Sequence, residues 1–306
     1  MIFVVTGANG FIGRHLCTTL AQRGHEVRSV VRADYTDNRV EKIISGADVV
    51  IHAAGATRAP TVAKLRASNV DLTRRVIAAA KNAGVRRFVF VSSQAAAGPS
   101  PALDQPTTED ESPAPVEQYG ISKRDAEALV RDSGLSATIV RPAAVYGPGD
   151  RDFRAMFVLA RRGIAIHAGN REQWVSIIHL RDCVDGIIRA ATSDDAIGRT
   201  YFLANDDPVQ WRTLFDLARS AASARRLFDV EIPLPLVRVG ALFGDGAARI
   251  SGHAGLLTSE KVRLSAPPFW VCSNQGARRE LGFIPATPLD VGVAETYRWY
   301  LENGGL

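Results

Sequence analysis

The chain has 306 residues, of which 46% are apolar and 23% charged, with a mean hydropathy of −0.01. This is ordinary globular composition, long enough for one large or two modest domains. The 37 basic and 32 acidic residues leave a net charge of only +5. No apolar run approaches the roughly 20 residues of a spanning helix, and the first residues lack the basic region of a signal peptide. We therefore expect a cytoplasmic protein with no membrane partner.

Cysteine, histidine and arginine are all scattered along the chain. The three cysteines, Cys17, Cys183 and Cys272, lie far apart, and the six histidines show no metal-ligand spacing, so we expect no metal site. The arginines occur in separate pairs and not in one basic block with interleaved aromatic residues. We therefore expect no nucleic-acid partner.

Strands and helices alternate through the first half of the chain. Short β-branched apolar runs predict strands over 2–6, 26–31, 48–53, 87–92 and 136–140. Periodic apolar residues predict helices over 11–23, 60–83 and 119–132. This alternation is typical of an α/β fold, a doubly wound parallel sheet with helices on both faces.

The regularity weakens after about residue 150. Further strands are predicted over 174–178 and 200–203, while 210–285 combines short helices with Pro and Gly breaks. We expect a Rossmann NAD(P)-binding domain over 1–165, to whose sheet 175–205 returns. We expect 206–306 to be mainly a smaller, irregular substrate-binding part.

A glycine-rich loop separates the first strand from the first helix. Gly7 permits a tight turn, Gly10 lets a pyrophosphate approach the backbone, and Gly13 lets the helix lie close to the strand. The free N–H groups at the helix start then hold the phosphates. The loop therefore predicts dinucleotide binding.

Tyr119 and Lys123 are four residues apart on one face of a predicted helix. A nearby ammonium group favours the phenolate and lowers the pKa of a tyrosine, and the same lysine can reach a ribose hydroxyl. Lys123 is one of only five lysines in the chain. Ser93 follows a buried strand, at the sheet edge where ligands bind, and its hydroxyl can bond a substrate carbonyl.

These features together resemble the extended branch of the short-chain dehydrogenases/reductases, the NAD-dependent epimerase/dehydratase-like proteins. The matching segments run in the family's order through nearly the whole chain: TGANGFIG (6–13), HAAG (52–55), Asn69-Val70, SSQAAAG (92–98), YGISK (119–123) and RPAAVYGPG (141–149). The resemblance implies that Tyr119 is the general acid/base, Lys123 its ribose-binding partner, and Ser93 the group that polarises the substrate oxygen. It also implies a homodimer formed through the Tyr119 helix.

The resemblance also implies which residues bind the cofactor: Gly7, Asn9, Gly10, Phe11, Ile12, Gly13, Arg32, Ala53, Ala54, Gly55, Asn69, Val91, Tyr119, Lys123 and Pro142. Alignment on the glycines places Val31 where NAD enzymes carry an acid for the ribose 2′-OH. Arg32 follows it and can pair with a 2′-phosphate, with Arg28 as a weaker helper, so we favour NADP over NAD. The segment 32–48 is too short for the family's usual third strand.

The substrate is expected to be a small molecule, and departures from the family pattern limit which of the family's reactions the protein can catalyse on it. Gln94 and Ala95 stand where the sugar 4,6-dehydratases carry Asp and Glu, which argues against dehydration. Ala144 replaces the Asn that helps many relatives hold a nucleotide sugar. The leading hypothesis is an NAD(P)-dependent oxidoreductase that moves hydride between nicotinamide and a carbonyl or alcohol carbon. The alternatives are a nucleotide-sugar 4-epimerase acting through a transient 4-keto intermediate, and a non-catalytic NADP-sensing regulator.

Three further polar features are interpreted as structural. We expect His52, in a buried strand, to be packed and hydrogen-bonded, and Asp182 to be a helix N-cap. We expect the acidic run 109–111, in a Pro-rich loop, to be solvated. Trp211, Phe215 and Phe228 belong either to the core or to the substrate pocket, and the sequence does not separate the two.

Overall fold

The computed structural model describes residues 1–35, 39–168, 172–224, 228–251 and 259–305, with the side chains of 168, 245–251 and 261 left out. The strands, in chain order, are β1 Ile2–Thr6, β2 Glu26–Val30, β3 Val49–His52, β4 Arg87–Val91, β5 Ala137–Pro142, β6 Ala144–Tyr146, β7 Ile164–Ala168, β8 Trp174–Val175, β9 Ile177–His179, β10 Thr200–Leu203, β11 Val209–Gln210, β12 Phe228–Ile232 and β13 Phe269–Trp270. The α-helices are α1 Phe11–Gln22, α2 Arg39–Ile44, α3 Val62–Arg66, α4 Leu72–Asn82, α5 Gln94–Ala97, α6 Gln118–Arg131, α7 Arg154–Arg161, α8 Leu180–Thr192, α9 Trp211–Ala221, α10 Leu234–Ser251, α11 Ser259–Ser265, α12 Gln275–Leu281 and α13 Leu289–Glu302.

The largest sheet has six parallel strands in the order β10-β5-β4-β3-β1-β2. The chain leaves β1 toward β2 on one side and reaches β3 on the other. The sheet order therefore reverses at β1, which opens a crevice at the carboxyl ends of β1 and β3. The predicted Rossmann-type α/β fold is confirmed.

Both faces of this sheet are covered because its central strands are buried along almost their whole length and are mostly apolar. Phe3 and Val5 contact α1 and α8, while Val4 faces the layer formed by α2, α4 and α6. Successive residues of a strand point to opposite faces, so one apolar run supplies two cores.

The predicted helix over 60–83 begins two residues later than expected and is not uniform. It contains α3 and α4, joined by a single π-helical turn over Ala67–Asp71. Thr61 caps its start by accepting a hydrogen bond from the backbone N–H of Lys64. The other elements predicted for the first half agree with the structure to within about two residues at each end, whereas α2, α5 and β6 were not predicted.

The segment after β2 contains no strand among its described residues, as its length predicted. It forms a 3₁₀ turn, Arg32–Tyr35, and then α2. The sheet therefore ends at β2 on this side.

The second half contributes β10 to the large sheet and builds a separate apolar cluster. This cluster joins α7, α9 and α13 and includes Phe157, Leu214, Phe215 and Tyr300. Phe215 is therefore a core residue, and Trp211 packs against the same cluster, whereas Phe228 is exposed.

His52 is fully buried and links two segments around the crevice, as expected for a structural histidine. Thr73 donates its hydroxyl hydrogen to the backbone carbonyl of Asn69 at 2.6 Å, so Nε2 of His52 must donate to Thr73 at 3.0 Å. Nδ1 of His52 then accepts from the Thr6 hydroxyl at 2.6 Å. This arrangement requires a neutral ring, and burial accordingly lowers the pKa of His52 to about 3.

The buried neutral ring predicts a loss of stability in mild acid. An unfolded histidine takes up a proton near pH 6.5, whereas folded His52 does not until about pH 3, so its contribution is complete above pH 6.5 and lost as the pH falls. Between pH 7 and 5, the free energy of unfolding should fall by about 2 kcal/mol more in the wild type than in His52→Gln. Urea unfolding at both pH values measures the difference, and equal losses would contradict it.

Candidate active site

The glycine loop forms a tight cradle between β1 and α1. Gly7 has a φ of +71°, and a Cβ there would lie 2.8 Å from Cα of Ala54. A Cβ at Gly13 would lie 2.1 Å from the carbonyl oxygen of Gly7, so only glycine lets α1 approach the loop. Helix α1 starts after Gly10 with no side-chain cap, which leaves its first N–H groups for an anion.

This cradle fits the pyrophosphate of a dinucleotide. Of its other predicted contact residues, Asn9 is exposed at the rim, and Phe11 and Ile12 are half-buried in the first turn of α1. Ala53, Ala54 and Gly55 follow β3 directly and form the facing wall.

The cradle predicts that Gly13→Ala impairs cofactor binding. The new methyl group would collide with the Gly7 carbonyl, and relieving the overlap costs about 1–3 kcal/mol. We expect dinucleotide affinity to fall at least about tenfold, as measured by fluorescence titration. Gly10→Ala is the matched control, because its Cβ would lie at 3.0 Å from the same oxygen, and its effect should be smaller.

Asn69 lies in the π-helical turn and ties the wall of the crevice to α6. Its Oδ1 accepts from the N–H of Ala56 at 2.7 Å, and its Nδ2 donates to the Ala56 carbonyl at 3.0 Å and to the Ser122 hydroxyl at 2.8 Å. Both amide hydrogens are therefore used inside the protein. The structure thus gives Asn69 a positioning role, and its contact with the cofactor stays a prediction.

Helix α6 carries Tyr119 and Lys123 to the carboxyl edge of the sheet. The Glu117 carboxylate caps the helix by accepting from the backbone N–H of Tyr119 and of Gly120. A Cβ at Gly120 would lie 2.2 Å from the Ala95 carbonyl oxygen, so glycine allows α6 to lie against α5.

Lys123 is buried and is held in one position. Its Nζ donates to the backbone carbonyl of Val91 at 2.7 Å and lies 4.2 Å from the ring centre of Phe90. Burial lowers the pKa of Lys123 to about 7, and the Glu127 carboxylate partly offsets this fall. Val91 thus contributes through its backbone at the site, and Pro142 ends the neighbouring strand β5.

The Ser93 side chain lies close enough to the hydroxyl of Tyr119 to offset part of the rise in the pKa of Tyr119. Ser93 lies at the end of β4 and also accepts from the N–H of Ala95 at 3.2 Å, capping α5. The three residues Ser93, Tyr119 and Lys123 are therefore brought to one edge of the sheet. Burial raises the pKa of Tyr119 to about 12, so the expected fall caused by Lys123 is not found in the protein alone.

A buried ion cluster that the sequence analysis missed lies behind this edge. The Glu127 carboxylate accepts from Nε and Nη2 of Arg141 at 2.9 and 2.8 Å and from the Ser92 hydroxyl at 2.6 Å. Arg131 adds a fourth bond at 2.8 Å. Glu127 follows Lys123 by four residues on the same helix, and that spacing was the available signal.

The two arginines predicted to contact a 2′-phosphate, Arg28 in β2 and Arg32 after it, have different surroundings. Arg32 is exposed, and no ion pair involves it in the described part of the chain. Arg28 instead donates to Glu26 and to the Ser45 carbonyl, both at 2.8 Å, so it is less available to a phosphate than Arg32 is. Asp34 closes the 3₁₀ turn by accepting from the N–H of Val31.

Two acidic residues differ from the sequence interpretation. Asp182 is not the N-cap of α8, because His179 holds that position; its carboxylate accepts instead from the N–H groups of Ala286 and Thr287. Glu109 is not solvated, because its carboxylate accepts from the N–H of Phe202 at 2.8 Å, and burial raises its pKa.

The described residues contain no helix long and apolar enough to cross a membrane. Within the same ranges, no group of three or more His, Cys, Asp or Glu side chains could hold a metal ion.

Comparison with known proteins agrees with this geometry. The model of the NAD dependent epimerase/dehydratase family matches residues 3–204. The chain is similar to the ceramide reductase of Caulobacter vibrioides, with 34% identity over 100% of this chain and 96% of the relative. It is also similar to the 4-hydroxy-2-methyl-3-oxo-4-farnesyl-3,4-dihydroquinoline-1-oxide ketoreductase of Stigmatella aurantiaca, with 29% identity over 91% and 90% of the two chains.

A solved structure shares the fold. The structure of MoeE5 in complex with UDP-glucose and NAD superposes with a TM-score of 0.80, at 23% identity and 99% coverage of both chains. The family match covers most of the chain, and the 34% identical relative covers all of it. The protein therefore belongs to the NAD dependent epimerase/dehydratase family, the extended branch of the short-chain dehydrogenases/reductases, and is an enzyme of the oxidoreductase or epimerase type.

Proposed function

We propose that this protein is a reductase of an apolar, lipid-like ketone, with Tyr119 as the proton donor. The closeness of the Tyr119 and Ser93 side chains carries the proposal, because two neighbouring hydroxyl groups can both bind one substrate oxygen. Burial keeps Tyr119 protonated at neutral pH, and the protonated phenol is the form that donates to an oxygen being reduced. The names of the two most similar relatives described above support a ketone substrate with long apolar chains.

Each residue of the site has a separate part in this reaction. Bound nicotinamide supplies the hydride. Ser93 donates a hydrogen bond that polarises the substrate carbonyl, and Tyr119 delivers the proton to its oxygen. The buried ammonium of Lys123 lies one helical turn from Tyr119 and would bind a ribose hydroxyl and stabilise the phenolate that forms.

The residues beside Ser93 argue against dehydration as the reaction. Gln94 is buried and Ala95 is half-buried, and neither can act as the acid or base that water elimination requires. The non-catalytic NADP sensor is disfavoured because the structure assembles the proposed serine, tyrosine and lysine at one edge.

The function is tested by following nicotinamide absorbance with NADPH and NADH. A panel of long-chain ketones, N-acylated amino ketones and UDP-sugars separates the alternatives. The proposal expects stoichiometric cofactor oxidation with a lipid-like ketone. Conversion of UDP-glucose to its 4-epimer without net cofactor oxidation would instead establish the epimerase.

The cofactor preference is part of the same proposal. Arg32 is exposed beside the end of β2 and can pair with a 2′-phosphate, which favours NADP, while the family as a whole is NAD-dependent. We also propose a homodimer formed through α6 and a cytoplasmic location.

Arg32→Ala should therefore weaken NADPH binding about 10- to 100-fold, the value of a charge-assisted hydrogen bond, and leave NADH binding nearly unchanged. Isothermal titration with both cofactors measures the two affinities. Arg28→Ala is the matched control and should not discriminate between them, because its guanidinium is bound to Glu26 and Ser45. An equal loss for both cofactors in Arg32→Ala would refute the NADP preference.

A further inference from the structure

The second half of the chain exposes a concentration of large apolar side chains. Leu242 and Phe228 are each 67% exposed, Phe243 77% and Leu236 64%, and Val239 and Val230 lie beside them in the sequence. We call these six residues, which come from β12 and α10, the apolar patch. They make up half of the large exposed apolar residues found in the described part of the chain, yet they fall within 16 residues.

The periodicity of each element explains why these apolar side chains are exposed. On α10, Val237 and Ala241 point inward and pack with Val262, so Leu236, Val239 and Phe243 lie on the opposite side of the helix.

Strand β12 shows the corresponding alternation of period two. Phe228 and Val230 share one face with Ile232, which packs against the cluster beneath α10. Asp229 points to the other face, where it binds His167 and Arg212. Both β12 and α10 therefore expose apolar side chains, and only Pro233 separates the two elements in the chain.

Arginines border the patch. The backbone N–H of Phe228 donates to the carbonyl of Gly163 at 2.8 Å. Gly163 follows Arg161 and Arg162 in the chain, so these two exposed arginines lie near Phe228. Arg238 is exposed on α10 itself. Within the described ranges, no ion pair or side-chain hydrogen bond involves any of these three arginines.

We propose that the apolar patch docks the protein onto the surface of an anionic lipid bilayer. An apolar helix face with arginines at its border matches the acyl boundary and the negative headgroups of such a surface. A second copy fits less well, because a twofold contact would bring the same arginines together. The expectation of no membrane partner concerned spanning segments, which a peripheral contact does not need.

The docked orientation would also help the lipid-like substrate to reach the enzyme, and this benefit rests on the proposed function. The patch belongs to the second half of the chain, where the substrate part is expected, so a lipid ketone could enter from the bilayer without crossing water. The docking surface itself stands on the apolar and basic side chains.

Vesicle flotation of the full chain tests the docking. Vesicles of phosphatidylcholine with phosphatidylglycerol should carry the wild type, and vesicles of phosphatidylcholine alone should carry less. The double variant Leu242→Ser/Phe243→Ser should bind the anionic vesicles at least about tenfold more weakly. Ile284→Ser, which changes a 63% exposed side chain outside the patch, is the matched control and should bind as the wild type does.

The charge component has its own pair of variants. Arg161→Glu/Arg162→Glu should lose the preference for anionic vesicles, whereas Arg86→Glu, an exposed arginine beyond the patch, should keep it. Melting temperature and cofactor binding confirm that each variant is folded.

Two results would overturn the docking proposal. One is a wild type that floats with neither vesicle, or patch variants that bind as well as it does. The other is a dimer that Leu242→Ser/Phe243→Ser converts to a monomer without any vesicle binding, which would make the patch a subunit interface. Turnover of a detergent-dispersed long-chain ketone without vesicles is a separate readout: its absence, with flotation intact, would remove the proposed function and leave the docking surface.

Discussion

Replacing Tyr119 with phenylalanine should lower kcat for ketone reduction by about 10²- to 10⁴-fold, the usual contribution of a positioned general acid. The phenyl ring fills the same space but has no proton to deliver and no hydroxyl beside Ser93. Cofactor affinity should stay within about twofold, because Lys123 remains bound to the Val91 carbonyl. Steady-state kinetics and cofactor titration on the same preparation separate the two quantities.

The matched control for this experiment is Tyr146→Phe. The Tyr146 hydroxyl is also buried but has no hydrogen-bond partner within the described part of the chain, so its removal should leave kcat unchanged. A Tyr119→Phe enzyme with wild-type kcat and unchanged cofactor binding would falsify the proton-donor role.

The second large effect is expected on stability, from Glu127→Ala. Glu127 is fully buried and Arg141 is 1% exposed, so the substitution leaves a guanidinium without its partner in the interior. Breaking a buried pair on one side costs about 3–5 kcal/mol. The Ser92 hydroxyl, next to Ser93, loses its acceptor as well, so we also expect slower turnover.

A double-mutant comparison gives this prediction its control. Glu127→Leu/Arg141→Met removes both charges and should be more stable than Glu127→Ala, because no unpaired guanidinium remains in the interior. Guanidinium unfolding of the wild type and both variants measures the free energies. The predicted coupling is wrong if the double variant is as unstable as the single one.

The residue types in the buried Glu127–Arg141 cluster explain why it was not predicted from the sequence. Glu127 and Arg141 are distant in the chain and polar in type, so each alone is typical of solvated surface. Only the contact between α6 and the end of β5 shows that they neutralise each other. The same reasoning applies to Glu109, whose partner, the N–H of Phe202, lies on a distant strand.

Local features were determined by the sequence alone. The glycine loop, the strand–helix alternation and the spacing of Tyr119 and Lys123 depend on neighbouring residues, whose backbone and side-chain preferences act within a few positions. Those features were sufficient to predict the Rossmann fold, the family, and the position of Ser93 close to α6.

The tertiary structure decided everything that depends on burial or on a distant partner. Burial keeps Tyr119 protonated although Lys123 lies on the same helix, and internal hydrogen bonds occupy Arg28 and Asn69. Exposure likewise separates Phe228 on the surface from Phe215 in the core. The physical reason is that desolvation and hydrogen bonding between remote segments set the charge and availability of a side chain, and neither is encoded in its sequence neighbours.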